Sequence, residues 1–441
     1  MSSQSATNFH SDLLAQILSD EAFCPTEPAS LKETGLPTPF VESLILKRLS
    51  LVGTCSGRQL ANQLCLPFQG LEAILANLRQ RQIIVHGSSA PLNDYNYSLT
   101  EIGRERATFA VKQCAYSGPA PVTLIDYVLS AEAQSIRAES PKRKQLMRAF
   151  ADISIDEGLF ESLGPAINSG AGLFLYGEPG NGKSTLARRI TQCFGQEIWV
   201  PHAIYEDGQI IKLFDSAYHV TADNDEANEF GVKNYDTRWL RIKRPTVVVG
   251  GEMTMDSLEI RHDPRSNVSE APLQLKSNGG CLLIDDFGRQ RIEPAELLNR
   301  WIIPLENRQD YLTLASGKKI QVPFEQLIIF STNLDPEKLA DEAFLRRIPY
   351  KIEIHDPSPE EFHLLFKLYA KKMGFDYRAS VVDYLIQEHY RKKNRRLRRC
   401  HPRDLLLQTR NYCVYNNCDL EMRTEYFDMA VKSYFTTLMG H

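Results

Sequence analysis

A glycine-rich stretch near the middle of the chain has the residue types and spacing of a phosphate-binding loop. It matches the pattern GxxxxGK[ST] in full, and the residues assigned to it are Gly177, Glu178, Pro179, Gly180, Asn181, Gly182, Lys183, Ser184 and Thr185. Glycines let backbone N–H groups curl around a β-phosphate, and the N-terminus of a following helix adds positive potential. Lys183 supplies a point charge to the β- and γ-phosphates, and the Ser184 hydroxyl is placed to ligate Mg²⁺. The motif therefore predicts a site for ATP with Mg²⁺.

Two aspartates form a second constellation, at the end of the apolar run CLLIDD (281–286). A buried parallel strand delivers the residues at its C-terminal end to the sheet edge at which ligands bind. There Asp285 would hold Mg²⁺, directly or through water, and Asp286 would polarise an attacking water. Aspartate reaches one methylene less far than the glutamate that is usual in this role. The plainer alternative is an ordinary acidic pair at a strand-to-turn junction.

The sequence around these motifs alternates between strand and helix patterns from about residue 150. The apolar run LFLY (173–176) precedes the glycine loop, and KSTLARRITQCF follows it with helical spacing. Further apolar strands are predicted at LIIFSTN (327–333) and YKIEI (350–354), after which only helical patterns remain. This alternation predicts an α/β fold with a parallel sheet, because strand–helix–strand units place their strands side by side in one direction.

The bulk composition limits the class of protein. A chain of 441 residues is too long for one core, and its 43% hydrophobic and 24% charged residues are typical of a soluble protein with two or three domains. A net charge of -4 gives no general attraction to nucleic acid or acidic lipid. The nine cysteines form no CxxC pair, and no apolar run approaches the roughly 20 residues that span a bilayer. We therefore expect a cytoplasmic protein with no membrane partner.

The patterns divide the chain into five regions. They are an N-terminal helix and linker (1–39), a winged-helix-like domain (40–113), a connector (114–144), an α/β core (145–355) with an insertion at about 194–280, and an α-helical lid (356–441). The order helix, helix, helix, hairpin, helix in the second region resembles a winged-helix domain. The insertion lies near a pore or face of an assembly, or is only a longer surface connection. A hairpin turning at Ser316-Gly317 is predicted over 310–326.

The order of these motifs, ending in FLRRIPYKIEI and HPRDLL, resembles the AAA+ ATPase family over residues 145–441. The resemblance implies that Asn333 is the polar sensor 1 residue and that Arg403 is the sensor 2 arginine. It also implies an arginine finger at Arg347, with Arg346 as the alternative because the pair leaves the register open. A finger acts on the ATP of a neighbouring subunit, so a ring-shaped homo-oligomer, typically a hexamer, is implied. Taken alone, the two arginines would be a solvated or salt-bridged helix end.

Two segments carry a narrower resemblance. The runs SNGGCLLIDDFGRQ and NRRLRRCHPRDLL resemble bacterial predicted ATPases described as having chaperone-like activity, and the hairpin before LIIFSTN resembles MoxR-like and helicase-like branches. The GAFTGA loop of enhancer-binding activators is not present in the sequence. The favoured hypothesis is therefore an ATPase that remodels a protein client, with the winged-helix-like domain recruiting that client.

Nucleic acid is the alternative partner. Residues 41–113 carry eight Lys or Arg and five Asp or Glu, and the predicted recognition helix begins with LEAILAN, which contains no Arg, Lys or Gln to read base edges. A dense basic run over 391–399 could meet phosphate, form a solvated lid face or lie between subunits. The alternative function is a DNA-associated switch such as a replication initiator, helicase loader or transposition regulator. A third hypothesis, a degenerate ATPase acting as a scaffold, rests on Asp286 alone.

Overall fold

The computed structural model of the chain describes residues 23–151, 153, 156–195, 197–222, 235–339 and 342–435. The predicted N-terminal helix falls within 1–22 and lies outside the described residues. The chain divides into two compact units. Unit 1 consists of Met1–Ser140, Phe194–Leu282 and Asn299–Leu327, and unit 2 consists of Pro141–Cys193, Leu283–Leu298 and Ile328–His441.

A five-stranded parallel sheet confirms the predicted α/β class. Its strand order is Thr246–Val249, Cys281–Ile284, Leu327–Thr332, Leu173–Tyr176 and Tyr350–Glu353. The strands Cys281–Ile284 and Leu327–Thr332 are buried along their whole length, as their continuous apolar sequence predicts. The strand Leu327–Thr332 lies between the glycine-loop strand and the aspartate strand. The residue that follows it, Asn333, is therefore placed between the ends of the other two.

Four helices of unit 2 accompany the sheet strands. They are Arg143–Ala149, Glu157–Ser169, Lys183–Ile190 and Glu342–Leu345. The helix Glu157–Ser169 begins where the Asp156 side chain accepts a hydrogen bond from the N–H of Leu159, and it ends at Gly170 in the left-handed conformation. A longer helix, Pro294–Asn307, follows the aspartate strand.

The end of unit 2 is helical, as predicted. Its helices are Pro359–Met373, Ala379–Leu385, a π-helical turn at Ile386–Arg391, His401–Asn416 and Thr424–Phe435. Ser358 and Glu361 form a capping box that starts the first of these helices. A core of Phe362, Phe366, Leu405 and Phe427 holds the helices together, and all four side chains are fully buried.

The first part of unit 1 contains the predicted helices and hairpin, and also the strand Thr54–Ser56, which was not predicted. The elements are Thr38–Val52, Thr54–Ser56, Gly57–Leu64, Phe68–Gln80, Ile84–Ala90, Asp94–Leu99 and Glu101–Gln113. The strand Asp94–Leu99 pairs antiparallel with both other strands, and Leu44, Leu60 and Leu75 fill the core beneath the helices.

The rest of unit 1 is built from three segments that are distant in sequence. A second five-stranded sheet has the order Arg261–Asp263, Val268–Glu270, Gln209–Lys212, Ala203–Glu206 and Val122–Thr123. The predicted connector therefore supplies an edge strand, followed by helix Leu124–Ala133, and the predicted insertion supplies the other four strands. Two antiparallel pairs complete the strands, namely Glu197–Pro201 with Trp239–Lys243 and Gln309–Thr313 with Lys319–Pro323. The second pair confirms the hairpin predicted over 310–326.

The remaining elements are short. They are the helix Leu273–Lys276 and the 3₁₀ turns Ile136–Ala138, Thr191–Cys193, Met255–Leu258 and Pro336–Lys338. No helix within the described part of the chain is both long enough and apolar enough to cross a membrane.

Candidate functional site

The glycine loop joins strand Leu173–Tyr176 to helix Lys183–Ile190, in the strand–loop–helix context that the motif requires. Gly177 has a φ of 131°, and a Cβ placed there would lie 2.6 Å from the backbone oxygen of Ile354. Gly180 has a φ of 83°. These positions require glycine because L side chains rarely adopt such angles and the backbone of Ile354 leaves no room for one.

Lys183 is 7% exposed, and its ammonium group is surrounded by neutral oxygens. Nζ donates to the backbone oxygens of Gly177 at 2.8 Å and Glu178 at 3.0 Å, and to Oδ1 of Asn333 at 2.7 Å. Burial is the largest influence and lowers the pKa of Lys183, while the carboxylates of Asp286 and Asp285 oppose it. The lysine is thus held at the mouth of the loop, where an anionic ligand would stabilise its charge.

Ser184 and Asp285 meet across the end of the sheet. The Ser184 hydroxyl donates to Oδ1 of Asp285 at 2.8 Å, which places two hard oxygen atoms side by side. Such atoms are the ligands that Mg²⁺ prefers, and Mg²⁺ usually takes few protein ligands beside phosphate and water. The residues therefore fit the predicted metal, with Ser184 and Asp285 as the groups that would hold it.

Asp286 is exposed and has a φ of 49°, in the left-handed region. Aspartate tolerates this region better than most residues, and the turn is stabilised because the N–H of Phe287 donates to the oxygen of Ser331 at 2.7 Å. The Nδ2 group of Asn333 lies 3.4 Å from Oδ1 of Asp286. Asn333 therefore contacts both Lys183 and Asp286, as its position between the two neighbouring strands requires.

These side chains border a cavity of about 340 Å³ that lies within unit 2. Its polar lining consists of the glycine loop and the strand ends, namely Pro179, Gly180, Asn181, Gly182, Lys183, Ser184, Thr185, Asp285, Asp286, Ser331 and Asn333. Its apolar lining consists of Ile153, Leu159, Ile354, Leu365, Leu368 and Tyr369. Gly177 and Glu178 are not among the described lining residues, and their carbonyl oxygens accept hydrogen bonds from Lys183. A cavity of this size and polarity suits a ligand with a phosphate tail and a planar base.

The apolar lining of the cavity was not predicted from the sequence. Its only local signal is the spacing of Leu365, Leu368 and Tyr369, which places them on one face of helix Pro359–Met373. That spacing equally describes a helix face that packs in a core. Only the fold shows that these side chains border the same cavity as Lys183.

Arg403 also borders the cavity, together with Arg399 and Cys400. Its side chain is 56% exposed and pairs with Oδ1 of Asp404 at 2.8 Å. The hydrogen bond that Arg403 donates to Asp404 is the main reason that the pKa of Arg403 is raised. The structure thus brings Arg403 to the cavity, whereas Arg399 and Cys400 were not predicted as site residues.

Arg346 and Arg347 follow the short helix Glu342–Leu345. Arg346 pairs with Glu342 at 2.5 Å, and both side chains are largely exposed. Arg347 is half-buried, and neither arginine belongs to the described lining of the cavity. Their assignment as a finger acting on another subunit stays a prediction.

Several cations of the basic run 391–399 are engaged within the chain. Lys392 pairs with Glu388 at 2.6 Å, and the guanidinium of Arg395 lies 4.2 Å from the ring centre of Phe435. Arg399 donates to Glu361 at 2.9 Å. Arg398 pairs with two carboxylates of unit 2. These intramolecular contacts favour a structural role for much of the run.

Comparison with known proteins identifies one family model and several distant structures. A model described as a domain of unknown function (DUF8689) matches residues 358–433. No curated protein matches the chain. Among solved structures, NtrX from Brucella abortus is 13% identical over 65% of this chain and 57% of its own, with a TM-score of 0.41. The ADP complex of NtrX is 15% identical over 73% and 64%, with a TM-score of 0.39.

A mutant of RuvB from Thermotoga maritima is also similar, at 13% identity over 64% of this chain and 70% of its own, with a TM-score of 0.39. The matches to NtrX span less than two-thirds of the NtrX chains. All these values describe a distant likeness of backbone. An activity for this chain must therefore be inferred from its own cavity and side chains.

Proposed function

We propose that this protein is an AAA+ ATPase that binds ATP with Mg²⁺ and uses its hydrolysis to remodel a protein client. One observation carries the nucleotide part of the proposal: Lys183, the Ser184–Asp285 pair and the Asp286–Asn333 pair line one and the same cavity. The residues come from three adjacent strand ends, so the convergence is a property of the fold. The sequence resemblance to AAA+ proteins supports the same class.

The polar and apolar linings of the cavity suggest how ATP would lie. The glycine loop would receive the phosphates through its backbone N–H groups and Lys183. The apolar lining, which includes Ile153, Leu365 and Tyr369, would receive the adenine. Helix Pro359–Met373 belongs to the lid, so lid position and base binding would be linked.

Hydrolysis would use the carboxylate of Asp286 to polarise water, with Asn333 orienting it. Bound Mg²⁺ would supply charge neutralisation at the β- and γ-phosphates. Asn333 suits its role because its amide oxygen already accepts from Lys183 and its amide nitrogen points to Asp286. The contact between Asn333 and Asp286 supports an active enzyme over the degenerate scaffold. It shows that Asp286, although shorter than glutamate, reaches the residue that also contacts Lys183.

Ring assembly and the finger belong to the proposal as well. We expect a homo-oligomeric ring, typically a hexamer, in which Arg347 of one subunit completes the site of the next. Arg347 is the proposed finger and Arg346, which pairs with Glu342, is the alternative.

Residues 40–113 would form a winged-helix domain that docks a protein client in the cytoplasm. Two observations favour protein over DNA as its partner. The exposed positions in the first half of helix Phe68–Gln80, which are Gln69, Glu72 and Ala73, include no Arg or Lys, and Arg81 at the end of the helix pairs with Glu42 at 2.9 Å. The hairpin Gln309–Thr313/Lys319–Pro323, which suggested a MoxR-like branch, is held at its tip by the pair of Lys318 with Glu206.

The test combines turnover with client capture. Purified protein should release phosphate from ATP in a Mg²⁺-dependent manner, and the Asp286→Asn variant should bind ATP but release phosphate far more slowly. A protein retained by that variant with ATP, and not with ADP, would be the client. Salt-sensitive binding to duplex or single-stranded DNA, with no retained protein, would instead support the DNA-associated switch.

A further inference from the structure

The segment 396–400, which precedes helix His401–Asn416, binds the glycine loop at three of its residues. Arg398 donates to Oε2 of Glu178 at 2.9 Å, across 220 residues of sequence. The N–H of Arg399 donates to Oδ1 of Asn181 at 3.3 Å. The N–H of Cys400 donates to the oxygen of Gly180 at 2.9 Å. The loop that would receive phosphate is therefore tied to the start of a lid helix.

Asp356, which follows the last sheet strand, connects the same two segments. It accepts a hydrogen bond from Nδ2 of Asn181 at 2.7 Å and forms a close ion pair with Arg398. The guanidinium of Arg398 thus bridges two carboxylates, Asp356 and Glu178. The side chain of Arg398 is only 17% exposed, whereas Glu178 is 50% exposed, so the pair with Asp356 is the better shielded half of the bridge.

The contact at Gly180 makes the tie specific to this loop. A Cβ at Gly180 would lie 2.7 Å from Sγ of Cys400, and the φ of 83° also disfavours other residues. The loop backbone and residue 400 are therefore as close as the chain permits. A shift of the segment 398–400 would either break its hydrogen bonds to Gly180 and Asn181 or move the loop with it.

From this arrangement we propose that Arg398 is a positioning residue, which ties the glycine loop to the lid so that nucleotide binding and lid position are thermodynamically linked. The inference rests on the proposed nucleotide site. Among the described residues that line the cavity are Arg399 and Cys400 but not Arg398. Arg398 therefore acts through the position of the loop, and not by touching the ligand.

Linkage makes the effect reciprocal. If the tied loop binds nucleotide more tightly, bound nucleotide must strengthen the tie by the same factor. The N–H groups of Arg399 and Cys400 report on it directly, because they donate to the loop. ADP should therefore slow hydrogen exchange at these two amides.

The experiment uses the full chain, a fluorescent ADP analogue and amide exchange followed by mass spectrometry. Its variants are Arg398→Gln, Glu178→Gln, the double variant and Lys393→Gln, an exposed lysine of the same basic run that serves as the charge-matched control. Arg398→Gln should raise the Kd for ADP roughly fivefold to tenfold and remove the protection at 399 and 400. Lys393→Gln should change neither. In the double variant the loss of binding free energy for ADP should be smaller than the sum of the losses in the two single variants, because Arg398 and Glu178 form one interaction.

A merely structural role predicts a lower Tm for Arg398→Gln with unchanged Kd and unchanged ADP-dependent protection, and this result would overturn the inference. If Lys393→Gln weakened ADP binding as much as Arg398→Gln does, the inference would also be overturned, since the effect would then come from the change in net charge. If the unaltered protein binds neither ADP nor ATP, the proposed function fails together with the inference. Normal binding that Arg398→Gln leaves intact overturns the inference alone.

Discussion

Oδ1 of Asn333 accepts a hydrogen bond of 2.7 Å from Nζ of Lys183, although 150 residues separate the two along the chain. The contact exists because the strand that ends before Asn333 pairs directly with the strand that leads into the glycine loop. The same amide group lies 3.4 Å from Asp286 through its nitrogen. One side chain therefore links the group that would bind phosphate to the group that would activate water.

Replacing Lys183 with alanine should weaken ATP binding by roughly 100-fold or more, about 3 kcal/mol, because a partly buried charge–phosphate contact is lost. Calorimetric titration of ATP measures this change. Lys338→Ala removes an exposed lysine of the same unit and should leave the affinity unchanged. Equal affinity in the Lys183→Ala variant would show that phosphate binds elsewhere.

ATP affinity should also fall at alkaline pH, beginning below lysine's ordinary pKa of 10.5. Burial lowers the pKa of Lys183, so the ligand-free protein loses this proton earlier than an exposed lysine does. Phosphate requires the charged form, and binding at high pH must then include uptake of a proton. Titrations in buffers of different ionisation enthalpy would detect that uptake, and its absence in the Lys183→Ala variant is the control.

The substitution Asp286→Asn should lower kcat by about 10²-fold while leaving the Kd for ATP within a small factor, since only the basic group is removed. Asparagine also tolerates the left-handed backbone at this position, where φ is 49°, so the fold should be preserved. Asp286→Glu tests the reach of the acid and should retain measurable turnover. A steady-state phosphate assay distinguishes these outcomes, and full activity in Asp286→Asn would remove the residue from the mechanism.

Mixing two inactive variants tests whether the finger acts between subunits. Lys183→Ala subunits keep Arg347, and Arg347→Ala subunits keep a complete loop. If Arg347 acts on a neighbour, their mixture should recover part of an activity that each lacks alone, because the finger contributes about 10³-fold or more. Arg346→Ala is the matched control and should retain most activity if Arg347 is the finger. No recovery at any mixing ratio would argue for sites complete within one subunit.

His401 should make the stability of unit 2 depend on pH. Burial lowers its pKa from 6.5 to about 4, with the nearby Arg398 acting in the same direction. The unfolded chain therefore binds more protons between pH 6.5 and 4, and the free energy of unfolding should fall across this interval by up to about 3 kcal/mol. Urea unfolding of the unaltered protein and of the His401→Gln variant measures this dependence. The difference between their free energies of unfolding should grow from pH 4 to 6.5 and stay constant above pH 6.5. A difference that is constant with pH would contradict the expectation.

Residues that act through consecutive backbone groups were predictable from the sequence. The glycine loop is of this kind, because its conformation depends on glycines and a helix start within a few residues. Asp285 and Asp286 were predictable because a continuous apolar run must be a buried strand, whose end lies at the ligand edge. The helices of 38–113 and 356–435 and the hairpin over 310–326 likewise follow from local periodicity.

Contacts between distant segments were decided only by the tertiary structure. The sheet order places Asn333 between Lys183 and Asp286, and the packing of helix Pro359–Met373 brings Leu365 and Tyr369 to the same cavity. The pairing of strand Val122–Thr123 with Ala203–Glu206 joins the predicted connector to the predicted insertion in one sheet. The bridge from Glu178 to Arg398 spans 220 residues. No local pattern specifies such partners, since which strands and helices become neighbours depends on how the whole chain buries its apolar surface.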